Sequence, residues 1–493
     1  MLTRGFSTMF DISRLFDLEI KPALGCTEPV AIGYATSLAY NTLLGRVPEW
    51  LKGKIPVKYV ADINREDVDI DRIEVSVDRG TFKNALAVGV PRSGGQKGIA
   101  IAAAMGIFCF PEAKGGELAL FRTFHSEDLG KARALVGKVN IKLIDGWEIN
   151  EGIQIRTSVV VKHKHLPART IVGSAVIDKT HSNVTAISAY DSPGRVTEIP
   201  FEEKPEAQEE NLEIVNRLKK MSISGVVAEV EALPEDAVEK MIELMEMNIA
   251  IAEEGLRGKR GMGVGAALRD LVNEKYLGDD LVTAAQVMAA SAADVRMGGF
   301  DYPVMSCAGS GNQGIAASLP VIAVAQKNGY DVGKLLIKRQ SGQLSCDDNN
   351  ELSRLVKALA LSSIITCYVT YHTRYLSALC GCAVKAGLGA AAGIAYLLTE
   401  SADRVEMAMQ NMAGNITGLI CDGGKEGCAL KLSASASVAV QSALLAMRGI
   451  RVPSDNGIVA EKAQDTIQNI GRVCQAMVTT DAEIVRIMAD KSA

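Results

Sequence analysis

The chain has 493 residues, 48% hydrophobic and 23% charged, with a formal net charge of -5, a length that suits about two to four domains with their own cores. The mild acidity, with no basic patch on any stretch, excludes a nucleic-acid footprint. Ten cysteines in a chain of this length are too dilute for a secreted disulfide scaffold.

The first twenty residues, MLTRGFSTMFDISRLFDLEI, lack the long apolar core of a secretory signal and carry acidic residues that suit a transit peptide poorly. A short amphipathic helix and a cytoplasmic location are expected. Residues 12–45 read as helical around the turn in PALGCTEPVAIGYA (22–35). Pro29 suits the start of a helix, so Cys26, Thr27 and Glu28 gather a thiol, a hydroxyl and a carboxylate at a helix N-terminus. There a cysteine pKa falls and a thiolate becomes available as a base. The bland alternative makes Thr27 a helix cap and Cys26 a spectator.

From 55 to about 205 the pattern alternates with period two in DRIEVSVDRG (71–80), ALAVGVP (85–91), VNIKLID (139–145), IQIRTSVVVKHK (153–164) and TIVGSAVID (170–178). These runs predict strands, with helices at 100–108 and 127–137 between them. The glycine-rich loop GVPRSGGQKGIA (89–100) offers Arg92 and Lys97 to an anion, although a solvated turn is the default. His163 and His165 share a strand face with no third metal ligand nearby and read as surface residues. His181, in KTHSNVTAI, reads as a loop residue by default, the alternative being a strand turn that faces the site.

The charged run FEEKPEAQEE (201–210) is the natural linker. Beyond it the period changes to 3.6, with helices expected at 223–256, 263–276, 281–295, 314–328, 350–373, 387–399, 403–412, 431–448 and 459–476. The class is therefore α+β: a mixed domain over 1–205, then an all-helical domain over 206–493 with functional loops at its helix ends. The uncharged run 358–373 falls short of the roughly 20 apolar residues of a membrane span and reads as a core helix, so no membrane is expected.

Within this half, SCAGSGNQGI (306–315) presents backbone N–H groups just before a helix, an arrangement that suits an anion such as a carboxylate or simply caps the helix. Cys380 and Cys382 flank a glycine, and Cys421 and Cys428 are joined by Asp-Gly-Gly-Lys-Glu-Gly. Thiols gathered on turns in a cytosolic chain suggest a metal or cluster. The spacing matches neither ferredoxins nor zinc ribbons, which leaves buried structural cysteines as an alternative. Cys109, Cys367 and Cys474 lie in apolar runs and read as small buried hydrophobes.

Taken together, PALGCTEP (22–29), SCAGSGNQGI (306–315), LCGCAVKAGLGAAAGIAYLL (379–398) and GNITGLICDGGKEGCALKLSASASVAV (414–440) resemble the L-cysteine desulfidase family, a serine-dehydratase-like group related to iron–sulfur L-serine dehydratases. The resemblance spans nearly the whole chain. It implies a [4Fe–4S] cluster on three cysteines and no pyridoxal phosphate, with Cys421 and Cys428 as the loop pair and Cys380 as the third ligand, Cys382 being the alternative. It further implies Cys26 as the base, with Thr27 and Glu28 beside it at the substrate, and Ser310, Asn312 and Gln313 around the substrate carboxylate. Gly423 stands where the dehydratases carry proline, and the span between the loop cysteines is shorter. Both departures favour the desulfidase branch. The implied reaction releases sulfide, ammonia and pyruvate from L-cysteine, with L-serine dehydration and a non-catalytic amino-acid sensor as alternatives. The partner is a small amino acid, and a homo-oligomer is left open.

Overall fold

The computed structural model describes residues 10–54, 57–58, 63–111, 116–144, 152–192, 209–341 and 350–491; of the expected linker at 201–210, residues 201–208 lie outside them and the last two open the helix Glu209–Lys220. The described chain is mixed α and β. Its first half forms β1 (Pro22–Leu24), β2 (Val57–Lys58), β3 (Val68–Val77), β4 (Val139–Leu143), β5 (Ile153–His163), β6 (Leu166–Lys179) and β7 (Val184–Ser192), and the second half contributes β8 (Pro303–Met305).

Six strands make one sheet in the order β2-β7-β6-β5-β3-β4. Neighbours from β7 to β3 run antiparallel, while β4 lies parallel to β3 and β2 parallel to β7. Alternate residues, among them Ile73, Val75 and Val77 and then Ile155, Val159 and Val161, are buried, as a sheet with one covered face requires. The helix Thr27–Leu43 covers that face, and every one of its residues is buried.

A second core is helical. It gathers side chains from Leu281–Met297, Gly311–Lys327, Asn350–Thr373, Ala386–Thr399 and Cys428–Met447. Many of the buried side chains are alanines, small enough for these helices to approach closely. The second half is not all helical, however, because β8 pairs antiparallel with β1, matching Pro22 to Met305. The helix Ile12–Glu19 also buries Ile12, Leu15 and Phe16 in the helical core. The N-terminal segment thereby crosses from one core to the other and delivers Cys26 to the seam between them.

Other differences have local causes. Residues 85–91 are not a strand. Asp78 caps the helix Arg79–Ala85 by accepting from the Thr81 amide at 3.0 Å, and the chain then turns, with a single bridge between Gly89 and Lys97. The expected helix 223–256 is two, Ile223–Val230 and Glu235–Leu256, divided at Pro234, which lacks the N–H to continue a helix. Strand β7 and the helices Val332–Gln340 and Val478–Asp490 were not anticipated. Counted with its polar ends, the 358–373 run belongs to a 24-residue helix. By length and composition three helices could cross a membrane, contrary to expectation, and the apolar windows of two of them are 83% and 89% buried within the fold.

Candidate active site

The two thiol-bearing turns are stitched together by backbone. The Cys380 amide donates to Leu419 O at 2.9 Å and the Cys421 amide to Ala378 O at 2.7 Å, around a bridge between Leu379 and Ile420. Cys382 lies in a π-helical turn, Gly381–Lys385, that opens the helix running on to Thr399; such turns often mark functional sites. Cys428 begins the helix Cys428–Met447. The Cys421–Cys428 loop rests on the backbone of Lys83 and Asn84: side chains at Gly423 or Gly424 would collide with their carbonyl oxygens, and Gly423 has φ +94°. Proline cannot adopt that angle, which accounts for glycine there.

Cys380, Cys382, Cys421 and Cys428 all line one cavity of about 690 Å3, counting its open mouth. The Cys380 and Cys382 sulfurs are 3.4 Å apart. A hydrogen bond from Cys382 and then the charge of Lys431 pull the Cys380 thiol down to about 7 against the effect of burial. Burial and the neighbouring Cys380 push Cys428 up to about 11. Four soft donors at one cavity, with buried Lys83 and Lys385 close enough to feel their charge, form a donor set suited to a thiolate-bound cluster. Among the described residues no three His, Cys, Asp or Glu groups converge to hold a single metal ion, and all nine described cysteines are unpaired.

Opposite the thiols stands a carboxylate cluster from the first half. Cys26 is the N-cap of the helix Thr27–Leu43, yet its side chain makes no capping bond. It donates instead to Glu28 Oε2 at 2.9 Å. The Thr27 hydroxyl also donates to Oε2, at 3.1 Å, and Asn84 donates to Oε1 at 2.9 Å. His181 Nε2 lies 3.7 Å from Oε1, buried and without a hydrogen-bond partner. Burial alone would raise the Glu28 pKa, but His181, Cys26 and Asn84 hold it well below the usual carboxylate range. Burial and the charge of Glu28 push the Cys26 thiol far up. This corrects the expected low-pKa thiolate: desolvation and a neighbouring anion outweigh the helix terminus. Thr27 is not among the residues lining the cavity; its hydroxyl is turned to Glu28. His181 is no bland loop residue.

The third wall is the start of the helix Gly311–Lys327, which begins three residues earlier than expected. Ser310, Asn312 and Gln313 all line the cavity. Gln313 is already engaged, donating to Ala308 O and accepting from Thr370, both at 3.3 Å, so it holds the loop in shape. Asn312 Oδ1 accepts from Arg296 Nη1 at 2.9 Å. Arg296 is 1% exposed and lines the cavity as well. It is one of two charged residues in the Ala-rich stretch AASAADVRM (289–297), the one signal that could have revealed it. The turn KTHSNVTAI offers His181 only as the lesser of two readings, and nothing in the local sequence marks Asn84. The other anion loop is spoken for: Arg92 pairs with Asp301 at 2.8 Å and Lys97 with Glu426 at 3.3 Å. His165 is exposed near the β5–β6 turn.

The profile of the serine dehydratase alpha chain family matches residues 170–486. Full-length relatives are found among UPF0597 proteins. One from Desulfatibacillum aliphaticivorans is 31% identical over 489 residues, 98% of each chain. One from Desulforapulum autotrophicum is 33% identical over 485 residues, again 98% of each. One from Clostridioides difficile is 34% identical over 479 residues, 96% of this chain and 97% of its own.

Proposed function

Because the chain belongs to the serine dehydratase alpha chain family, we propose that it is a pyridoxal-independent iron–sulfur lyase that eliminates sulfide from L-cysteine, leaving pyruvate and ammonia. The observation that carries this reading is the meeting of four thiols with the Cys26–Glu28–His181 group at one cavity. Cys380, Cys421 and Cys428 would hold a [4Fe–4S] cluster, with Cys382 as the alternative to Cys380. When bound there, such a cluster supplies a Lewis acid for the leaving group.

The protein's own residues supply the proton chemistry. Elimination removes the Cα proton while the Cβ–S bond breaks, and the electron pair from C–H becomes the Cα=Cβ bond. Cys26 takes that proton as a general base once its own has moved to Glu28, the acceptor it already faces, a transfer that the raised thiol and lowered carboxyl make uphill in the resting site. Asn84 and Thr27 hold Glu28 in line, and His181 offers its buried ring to the carboxylate as its charge is lost. The loop at Ser310–Gln313 orients the substrate, and buried walls keep bulk water from the departing groups. The released aminoacrylate tautomerises and hydrolyses to pyruvate and ammonia in water. Unpaired thiols fit a reducing compartment such as the cytoplasm.

A second reading, L-serine dehydration, is favoured by the name of the matched family. The glycine at 423 in place of the dehydratases' proline favours L-cysteine. Anaerobic assay of pyruvate and sulfide from L-cysteine beside pyruvate from L-serine decides between them. L-cysteine is expected to have the higher kcat/KM; turnover of L-serine alone would move the chain to the dehydratase branch, and turnover of neither would refute the lyase.

A further inference from the structure

We propose that Arg296 grips the α-carboxylate of the substrate side-on, so that the site takes free α-amino acids and refuses their amides and esters. The inference rests on reading the cavity as an amino-acid lyase site and adds the residue that sets its substrate class. Burying a guanidinium without a counter-charge is costly, and Arg296 makes no ion pair among the described residues. One of its nitrogens, Nη1, is fixed by Asn312 Oδ1 at 2.9 Å. The other two, Nε and Nη2, are buried with no partner. Those two N–H groups lie along one edge of the guanidinium plane, the edge that binds both oxygens of a carboxylate at once.

The residues around that edge leave it without a counter-charge. Gly311 closes over the guanidinium, where any larger residue would collide with Nε. Asn312 offers its other end only to Met297 Sδ, at 3.1 Å, so it orients the arginine without neutralising it. The positive charge is felt at the Cys26 sulfur. Because Arg296 and Cys26 line the same cavity, a carboxylate on Arg296 sets the adjoining Cα in the space the proposed base faces, and its negative charge is met by a cation already desolvated. An amide or ester brings no charge and leaves the guanidinium unpaired, the situation that makes polar sites reject incomplete ligands.

L-Alanine keeps the carboxylate and amino group but has no leaving group, so its binding can be read without turnover. Calorimetric titration of the full chain, purified anaerobically with its iron, should show L-alanine binding roughly a hundredfold tighter than L-alaninamide. Arg296→Gln should abolish L-alanine binding, and Arg296→Lys, which keeps charge but loses the fork, should weaken it, with iron content and far-ultraviolet dichroism unchanged in both. Equal binding of L-alanine and L-alaninamide, no binding of L-alanine to the parent protein, or undiminished binding to Arg296→Gln would each overturn the inference. Should the variants fail to fold, the acid–amide comparison on the parent protein decides alone. Turnover of L-cysteine or L-serine by a protein indifferent to the carboxylate would remove Arg296 and spare the lyase. Selective L-alanine binding without any turnover would do the reverse.

Discussion

Glu28 is charged inside the protein because its oxygens are shared among Cys26, Thr27 and Asn84, with His181 3.7 Å away. That arrangement determines where protons sit: on the thiol, not on the carboxylate. Cys26→Ser should keep the iron and lower kcat by about 10²–10⁴-fold, the usual value of a positioned proton acceptor; loss of iron would make Cys26 a ligand instead. Glu28 also carries a pH signature. Its folded pKa lies below the unfolded value of about 4.3, so its stabilisation is present above that value and is lost as pH falls toward the folded one. In urea melts the stability gap between the parent protein and Glu28→Gln should be full at neutral pH and narrow below about pH 4. A gap that widens with acid would contradict the assignment. The turn at 26–28 was legible as a site because three reactive types met before a proline. The protonation of Cys26 was not, since it depends on burial and on residues brought from positions 84, 181 and 296.

The Cys421–Cys428 loop is set by the backbone it touches. Gly423 and Gly424 lie against the carbonyls of Lys83 and Asn84, so the loop seats only if those positions lack side chains. Gly423→Ala adds left-handed strain of about 1–3 kcal/mol to a backbone collision and should lower both the melting temperature and the iron content. Gly427 is the control: it has φ -60°, and a side chain there would make only ordinary contacts, so Gly427→Ala should change neither. Equal effects of the two would refute the seating. Glycine richness made this element readable as a turn. The surface beneath it was unreadable, because it belongs to a helix, Arg79–Ala85, more than three hundred residues away in the gap between two expected strands. β7 escaped for another reason: VTAISAYDS mixes small and polar residues and takes its order from pairing with β6.

The cavity lies where the sheet half and the helical half meet, and several devices hold them together. One is the β1–β8 ribbon, another the helix Ile12–Glu19 docked in the helical core, and a third the buried pair of Lys83 with Asp481 from the helix Val478–Asp490. Burial pulls Lys83 down, but the charges of Cys421 and Asp481 hold it above its ordinary value. Breaking a buried pair leaves an uncompensated charge, so Asp481→Asn should cost about 3–5 kcal/mol in unfolding free energy, measured by denaturant titration. An effect under about 1 kcal/mol would mean that the pair is hydrated. At this scale the sequence announced the change from period two to period 3.6 and hence two kinds of core. It could not announce that residues 10–26 pack into the helical core before the chain enters the sheet core at Val30, because β1 is three residues long and its partner is distant.

The decisive property of these thiols is whether they hold iron that serves elimination. Iron, acid-labile sulfide and pyruvate release from L-cysteine should be measured on one anaerobic preparation. About four irons per chain, brown absorbance, and a pyruvate rate that falls with the iron as it is chelated are the predicted result. A colourless, iron-free protein that forms pyruvate once pyridoxal phosphate is added would contradict it.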